Sequence, residues 1–203
     1  AAPGLVVVAG GKYTTYRVMA KDAIDAAAAA LDGRVPKSVT KNTPLVGADG
    51  YHAMWNQRHL IAQRSGLHVA RIEHLLNRYG ALIDEVLELV EKDPTLGEQL
   101  PGTQDYLKAE IVYGAASEGA RHLDDVLARR TRISIEAWDR GVEAADAAAR
   151  LMAPILGWDE ATIEREVSFY QRRVQSERDS QDQPDDESAD KVRLGAPDIV
   201  SPA

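Results

Sequence analysis

Apolar residues recur at helical spacing through most of the chain after residue 51. One stripe consists of Val69, Ile72, Leu76 and Tyr79, and a second lies within residues 82–90. Intervals of three and four residues place such side chains on one face of an α-helix. Later stripes of the same kind fall at Leu107, Ile111, Ala115 and Leu123, at Trp138, Val142, Ala145, Ala149 and Met152, and at Ile163, Val167, Tyr170 and Val174. Because each stripe buries one side of its helix, the pattern predicts a bundle of five or six helices, with Asp159 as the N-cap of the last.

The first part of the chain has a different pattern. Residues 5–8 form a continuous, mostly β-branched run, which predicts a fully buried strand of the kind found in parallel sheets. Gly10 and Gly11 end this run, and an alanine-rich stretch from about Thr14 to Leu31 predicts a helix. A buried strand needs neighbours for its backbone groups, and no second strand of comparable quality is visible in the sequence. We therefore expect the chain to be a piece of something larger.

These patterns divide the chain into four segments. Residues 1–33 are predicted to be a strand–turn–helix unit, and residues 34–50, rich in Pro, Gly, Ser and Thr, a linker. Residues 51–178 are predicted to be the helical domain. Residues 179–203 are polar and acidic, and we expect them to be disordered or ordered only by docking on the body. The predicted fold class is mainly α.

Composition excludes several classes of protein. The 203 residues carry a net charge of -8, which argues against a general polyanion binder. There is no cysteine, which rules out disulfides and thiolate metal sites and fits a reducing compartment. No apolar window is long enough for a membrane-spanning helix, and the apolar start lacks the basic region of a signal peptide.

The turn at Gly10, Gly11 and Lys12 is the first candidate for ligand chemistry. Glycines between a strand and a helix allow a tight turn, and the helix start offers free N–H groups to an anion. Lys12 adds a positive charge, and the hydroxyls of Thr14 and Thr15 can cap the helix or donate to a ligand. The spacing is neither a Walker A loop nor a GxGxxG fingerprint. An anion-binding turn and a purely structural turn remain equal alternatives on these residues alone.

Other charged residues carry weaker signals. The five histidines show no HxxxH or HExxH spacing, so no metal site is predicted. The arginines at 129, 130 and 132 follow Asp124 and Asp125, which favours intramolecular ion pairs or a solvated helix end over nucleic-acid binding. Glu110, Glu118 and Glu136 have no obvious acid/base partner in the sequence. No complete active site can be assembled from spacing.

Several motifs resemble one family. Residues 10–20, GGKYTTYRVMA, closely resemble a signature of FAD-dependent (aerobic) glycerol-3-phosphate dehydrogenases. Further matches follow in the family's order, and the resemblance covers about residues 4–175. The matching segments are TPLVGA at 43–48, RYG at 78–80, EVL at 85–87, EIVY at 110–113 and LDDVLARRTR at 123–132. The resemblance implies the C-terminal portion of such an enzyme: a helical bundle domain preceded by the strand–turn–helix remnant of an α/β FAD-binding domain.

The resemblance also implies an activity for the parent protein. Family members oxidise sn-glycerol 3-phosphate to dihydroxyacetone phosphate by hydride transfer to FAD. By this resemblance Gly10, Gly11, Lys12, Thr14 and Thr15 bind the cofactor, and Lys12 also lies near the substrate. A positive helix end beside the flavin ring stabilises the negative charge of the reduced flavin. The resemblance implies that the catalytic base would lie in a part of the parent protein outside this chain, so the isolated chain is expected to be inactive.

The same resemblance suggests partners and a location. The electron acceptor is expected to be a membrane quinone, with oxygen, as in glycerol-3-phosphate oxidases, as the alternative. A cytoplasmic location or the cytoplasmic face of the membrane fits this chemistry, together with peripheral membrane association and a homodimer. From a different class, residues 51–178 alone could act as an autonomous interaction or oligomerisation module, which an exposed apolar stripe would favour.

Overall fold

The computed structural model describes residues 4–196. The regular secondary structure of these residues is almost entirely helical. The ends of the predicted first and last segments, residues 1–3 and 197–203, lie outside the described residues. The helices are α1 (Tyr16–Ala28), α2 (Tyr51–Asn56), α3 (Arg58–Ser65), α4 (Val69–Tyr79), α5 (Ile83–Lys92), α6 (Lys108–Ala116), α7 (Ile133–Glu136), α8 (Ala145–Leu156), α9 (Glu160–Gln181) and α10 (Asp186–Leu194). Short 3₁₀ turns occupy Tyr13–Thr15, Gly80–Leu82 and Pro94–Gly97, and a π-helical turn occupies Asp125–Arg130.

Two hydrophobic clusters form the helical body. The first lies among α2 to α5 and includes Ile72, Leu76 and Val86. The second lies among the π-helical turn, α8 and α9, and includes Leu127 and Met152. Small residues of α8 let it approach its neighbours closely, since Ala145, Ala148, Ala149 and Ala153 all belong to this second cluster.

Helix α6 joins the two clusters. Ala109 and Tyr113 face the first cluster, whereas Ile111 and Ala115 face the second. A helix with neighbours on both sides is apolar around most of its circumference, as this one is. Glu110 is the exception, because it is fully buried although it carries a carboxylate. A buried carboxylate therefore lies at the centre of the fold, on the helix that belongs to both clusters.

The predicted apolar stripes are largely confirmed. In α4, Ile72, Leu76 and Tyr79 are buried, and in α9, Ile163, Tyr170 and Val174 are buried. The Asp159 side chain accepts a hydrogen bond from the Thr162 N–H at 2.8 Å, as an N-cap does. The body contains more and shorter helices than predicted, because glycines with left-handed backbone angles, such as Gly66, interrupt long apolar patterns.

The predicted strand at residues 5–8 is not formed. Within residues 4–196 the backbone pairing of extended segments is limited to one isolated antiparallel bridge, between Gln99 and Leu107. Residues 5–8 have no neighbouring strand to pair with, and their side chains are exposed. The helix that follows them does form, as α1, but none of its residues is buried.

At the C-terminal end of the described region, α9 continues to Gln181 and α10 packs back against it. The Asp185 side chain caps α10 by accepting from the Ser188 N–H at 2.8 Å. Every residue of α10 is exposed or only half-buried.

Candidate functional site

The glycine turn lies on the surface, between the extended segment and α1. Lys12 precedes the 3₁₀ turn Tyr13–Thr15, and its side chain is exposed. The Thr15 hydroxyl donates to the Lys12 carbonyl oxygen at 3.0 Å, and the Thr15 N–H donates to the same oxygen at 3.1 Å. No side chain caps this helix start. The first N–H groups of the turn are therefore open to a ligand, as in an anion-binding helix start.

A shallow cavity of about 390 Å³ lies beside this turn. Its lining includes Val8, Gly10, Lys12, Tyr16 and Met19, so the apolar run, the glycines and the lysine face one space. A Cβ atom at Gly10 would come within 2.7 Å of the Met19 methyl carbon, which is too close for an ordinary contact. Because that methyl is the end of a flexible side chain, a small movement of Met19 would make room for a side chain at residue 10.

The predicted ligand residues fall into two groups. Gly10, Gly11 and Lys12 line the cavity, whereas Thr14 and Thr15 do not. The Thr15 hydroxyl is engaged in the local contact described above, where it donates to the Lys12 carbonyl oxygen and caps no N–H group. Thr14 is exposed.

A second polar site lies inside the body, around Glu110. The Arg78 Nε donates to Glu110 Oε1 at 2.7 Å, and the Tyr79 hydroxyl donates to the same oxygen at 3.3 Å. His74 Nε2 lies 3.1 Å from both carboxylate oxygens. The Leu107 N–H donates to Oε2 at 2.8 Å, which also caps the start of α6. The carboxylate is thus hydrogen-bonded on both oxygens and shielded from water.

Arg78 extends this site to the π-helical turn. Its guanidinium donates to the Arg130 carbonyl oxygen at 2.6 Å and lies 5.1 Å from the centre of the Tyr106 ring. The Tyr106 hydroxyl donates to Glu136 at 2.8 Å, and burial raises the pKa of Tyr106 to about 12. Burial and the negative charge of Glu110 likewise raise the pKa of Tyr79. These tyrosines therefore stay neutral and act as hydrogen-bond donors at physiological pH.

Glu118 is the unsatisfied member of this neighbourhood. Its Oε2 is buried and has no hydrogen-bond partner within residues 4–196. Burial raises the pKa of Glu118, and the charge of Glu110 adds to this, although Arg78 and Arg130 act in the opposite direction. A buried acceptor without a donor is destabilising, so Glu118 is expected to lower the stability of the fold when its carboxyl is ionised.

Three of the sequence motifs converge on this site. Arg78 and Tyr79 come from RYG, Glu110 from EIVY, and Arg130 from the run at residues 123–132. Sequence reasoning missed the partnership because the residues are far apart in the chain: Arg78 is 32 positions from Glu110 and 52 positions from Arg130. A signal was present, because His74 and Arg78 lie four residues apart on one face of α4. The site cross-links α4, α6 and the π-helical turn and leaves no free oxygen of Glu110 for a substrate.

Two further buried carboxylates hold α9. Glu166 accepts from the Leu123 N–H at 3.0 Å, and its other oxygen lies 3.0 Å from His122 Nδ1. Asp124 accepts from Arg173 at 2.8 Å. The prediction that the arginine run forms intramolecular contacts is confirmed, because Arg129 pairs with Asp125 at 2.9 Å and the Arg130 Nε donates to the Glu118 carbonyl oxygen at 2.7 Å. In residues 4–196, no group of three or more histidine or acidic side chains is arranged to hold a metal ion.

One predicted core residue is in fact on the surface. Trp138 is 98% exposed and Ile135 is 73% exposed, so the stripe assigned to residues 138–152 does not begin at Trp138. The chain is not helical there: Arg140 has a φ of 61° and Gly141 a φ of 80°, and α8 begins only at Ala145. The loop is well fixed, since the Asp139 carboxylate accepts from the Gly141 and Glu143 N–H groups at 2.9 and 2.6 Å. Two large apolar side chains are thus held out into solvent.

None of the helices in the described region has the length and apolar character that crossing a bilayer requires.

Comparisons with known proteins agree with one another. The family model for the C-terminal domain of alpha-glycerophosphate oxidase matches residues 38–163. The chain is 53% identical to glycerol-3-phosphate dehydrogenase 2 of Mycobacterium tuberculosis, over 97% of this chain and 34% of that protein. It is 53% identical to the glycerol-3-phosphate dehydrogenase of Mycobacterium leprae, over 96% of this chain and 33% of that protein. The mitochondrial glycerol-3-phosphate dehydrogenase of Bos taurus is 33% identical over 81% of this chain and 23% of its own length.

The chain therefore spans about a third of the length of the mycobacterial relatives. No solved structure matches it.

Proposed function

The chain belongs to the family of the C-terminal domain of alpha-glycerophosphate oxidase, and we propose that it is the C-terminal part of an FAD-dependent glycerol-3-phosphate dehydrogenase. In this proposal residues 1–33 complete a flavin-binding domain, residues 34–50 link it to the helical domain of residues 51–178, and residues 179–203 form a tail. The observation that carries the proposal is the 53% identity over 97% of the chain to a protein named for this activity. The open glycine turn with Lys12 supports it from the structural side.

The residues of the turn fit a flavin in chemical type. The helix start is uncapped, Lys12 is exposed and positively charged, and the glycines leave the adjoining cavity free of side chains on that side. FAD, when bound, supplies the acceptor for the hydride removed from C2 of sn-glycerol 3-phosphate. The N–H groups and the helix dipole at the turn would stabilise negative charge on the ring, and the Lys12 ammonium would attract the phosphate of the substrate. Gly10 and Gly11 would let the backbone approach the ring closely.

The role of Lys12 can be tested in the full-length protein. We expect Lys12→Ala to lower kcat/KM for glycerol 3-phosphate by about 10- to 100-fold, as for the loss of one charge-assisted hydrogen bond. Lys37→Ala is the matched control, because Lys37 is an exposed lysine of the linker that does not line the cavity. Equal kinetics for the two variants and the wild type would remove Lys12 from the site.

The isolated chain is expected to be inactive, since residues 4–196 assemble neither a catalytic base nor a complete substrate site. A mixture of purified chain, FAD and glycerol 3-phosphate should not reduce an artificial electron acceptor. Sustained reduction that co-purifies with the chain through several columns would contradict the proposal that the chain is only part of the enzyme.

The electron acceptor has two candidates. We propose a membrane quinone, reached from the cytoplasmic face, because the compared relatives are named dehydrogenases. The family model is named for an oxidase, which keeps oxygen as the alternative. Stoichiometric hydrogen peroxide release by the full-length protein would decide for oxygen.

A second candidate function is self-association of the helical domain. The exposed pair of Ile135 and Trp138 favours it, because tryptophan on a fixed loop is typical of binding hot spots. Light scattering of the chain should then show a dimer that Trp138→Ser converts to monomer. Leu194→Ser is the control, because Leu194 is a similarly exposed apolar residue on α10. A wild-type chain that stays monomeric at high concentration would exclude this candidate.

A further inference from the structure

Residues 4–46 form the segment that carries the glycine turn. This segment meets the helical body where the backbone at Gly47 crosses the backbone at Gly80, a contact referred to below as the crossing. The Ala81 N–H donates to the Gly47 carbonyl oxygen at 2.8 Å. Gly47 lies in the TPLVGA motif and Gly80 in the RYG motif. Neither residue lines the cavity beside Lys12.

No side chain can be accommodated on either side of this crossing. A Cβ atom on Gly80 would overlap the Gly47 carbonyl oxygen, and a Cβ atom on Gly47 would overlap the Tyr79 carbonyl oxygen. Both residues also have positive φ, 80° for Gly47 and 57° for Gly80. Each position therefore requires glycine for two reasons. Its backbone angles are unfavourable for other residues, and a side chain would overlap the facing backbone.

The body side of the crossing is rigid. Gly80 follows directly on the last turn of α4, where Arg78 and Tyr79 are bound to the buried Glu110 carboxylate. Arg78 is also bound to the Arg130 carbonyl oxygen. The backbone at Gly80 is thus held by the same contacts that cross-link the two clusters of the body.

The segment side has few other attachments. Within residues 4–46 no residue is buried, and the side-chain hydrogen bond of longest range, from Arg17 to Thr40, joins two parts of the segment itself. Gly47 is half-buried and is followed by α2, which begins the packed body. The crossing is therefore where the path of the segment becomes fixed relative to the helices.

We propose that Gly47 and Gly80 are positioning residues, and that their backbone crossing sets the direction in which the segment bearing the glycine turn leaves the helical body. Any added side chain must push the two backbones apart, and residues upstream of Gly47 will swing about that point. The consequence for flavin binding rests on the function proposed above. The geometric claim does not, because it concerns the chain alone.

The geometric claim can be tested in the chain itself, which has no native cysteine. Spin labels on Lys41→Cys and Glu164→Cys, both at exposed positions, report the distance between segment and body by pulsed electron paramagnetic resonance. The unmodified crossing should give one narrow distance distribution. Gly80→Ala and Gly47→Ala should each shift or broaden it while circular dichroism shows that the helices are retained.

Gly157→Ala is the matched control for these variants. Gly157 also has a positive φ, 70°, but a Cβ atom there would meet nothing within 4 Å. It therefore carries the backbone penalty without the overlap, and its distance distribution should equal that of the parent. Gly47→Ala keeps the test valid if Gly80→Ala unfolds the body. A broad distribution in the parent, or unchanged distributions in both crossing variants, would overturn the proposal.

Flavin retention by the full-length protein tests the consequence separately. We expect FAD to bind about tenfold more weakly to the crossing variants than to Gly157→Ala, because overpacking shifts the backbone and turns the glycine turn away from the flavin. Full-length protein that binds no FAD even without substitution would refute the proposed function and leave the distance result standing. Shifted distances with unchanged FAD affinity would refute the link between the crossing and the flavin site.

Discussion

Helices α1 and α4 have similar lengths and opposite surroundings. Helix α1 has 13 residues and buries none of them, whereas α4 has 11 residues and buries Ile72, Leu75, Leu76 and Tyr79. Alanine-rich α1 is helical by intrinsic propensity, while α4 is stabilised by packing of its apolar face. The comparison shows that the helices in the two parts of the chain are stabilised differently, by intrinsic propensity in α1 and by packing in α4. The body is stabilised by its own residues, and the segment that bears the family signature has its apolar side chains still in solvent.

The largest predicted effect on stability comes from removing the buried Glu110 carboxylate of the helical body. Glu110→Ala removes the fully buried carboxylate that pairs with half-buried Arg78, so we expect the free energy of unfolding to fall by about 3–5 kcal/mol. Urea denaturation followed by circular dichroism measures it. Glu88→Ala is the control, because Glu88 forms an exposed pair with Lys92 and its loss should leave the free energy of unfolding nearly unchanged. A Glu110 variant as stable as the Glu88 variant would mean that the network does not hold the body together.

A matched pair of isoleucines tests the comparison directly. Ile72 is fully buried in α4, and Ile24 in α1 is 66% exposed. Ile72→Ala should lower the free energy of unfolding by about 2–5 kcal/mol through lost contacts and a cavity. Ile24→Ala should change it by less than about 0.5 kcal/mol. Comparable losses at both positions would show that α1 packs on the body in solution.

The smallest effect concerns Glu118 and depends on pH. Burial raises the pKa of Glu118 above its ordinary value of 4.5, so the folded state holds this proton more tightly than the unfolded state. Stability from this group is therefore complete below pH 4.5 and is lost as the pH rises through the folded-state pKa. Glu118→Gln removes this loss, and because the side chain is partly exposed we expect a gain on the order of 0.5 kcal/mol at neutral pH.

Thermal unfolding across the pH range checks this prediction. The gain of Glu118→Gln over the wild type should vanish well below pH 4.5, where the carboxyl is protonated in both states. A gain that is independent of pH would point to packing rather than to charge.

The helices of the body could be predicted from the sequence, whereas the polar contacts in its interior could not. Stripes such as those of α4 and α9 could be predicted because helical periodicity is local. The contact of Glu110 with Arg78 could not, because it joins residues that only the tertiary fold brings together. Trp138 was misassigned since its spacing continued the stripe of α8, while the left-handed backbone at Arg140 breaks the helix first. The run at residues 5–8 has the composition of a buried strand but no strand beside it among the described residues.

For the candidate site, the sequence predicted a single group of ligand residues, whereas the structure divides them: Gly10, Gly11 and Lys12 line the cavity, and Thr14 and Thr15 do not. Which residues line a cavity depends on the direction of each side chain around the turn, which composition does not specify. The Gly47–Gly80 crossing was equally hidden, because a contact made by two backbones has no side-chain signature.

That crossing also limits how the sequence can change over evolutionary time. When two side chains collide after a substitution, a later reduction in size at the partner position can restore the fit. Glycine has no side chain to give up, and the atoms in contact are backbone atoms that every residue shares. A substitution at Gly47 therefore has no compensating change at Gly80, and each position is constrained on its own rather than as a covarying pair.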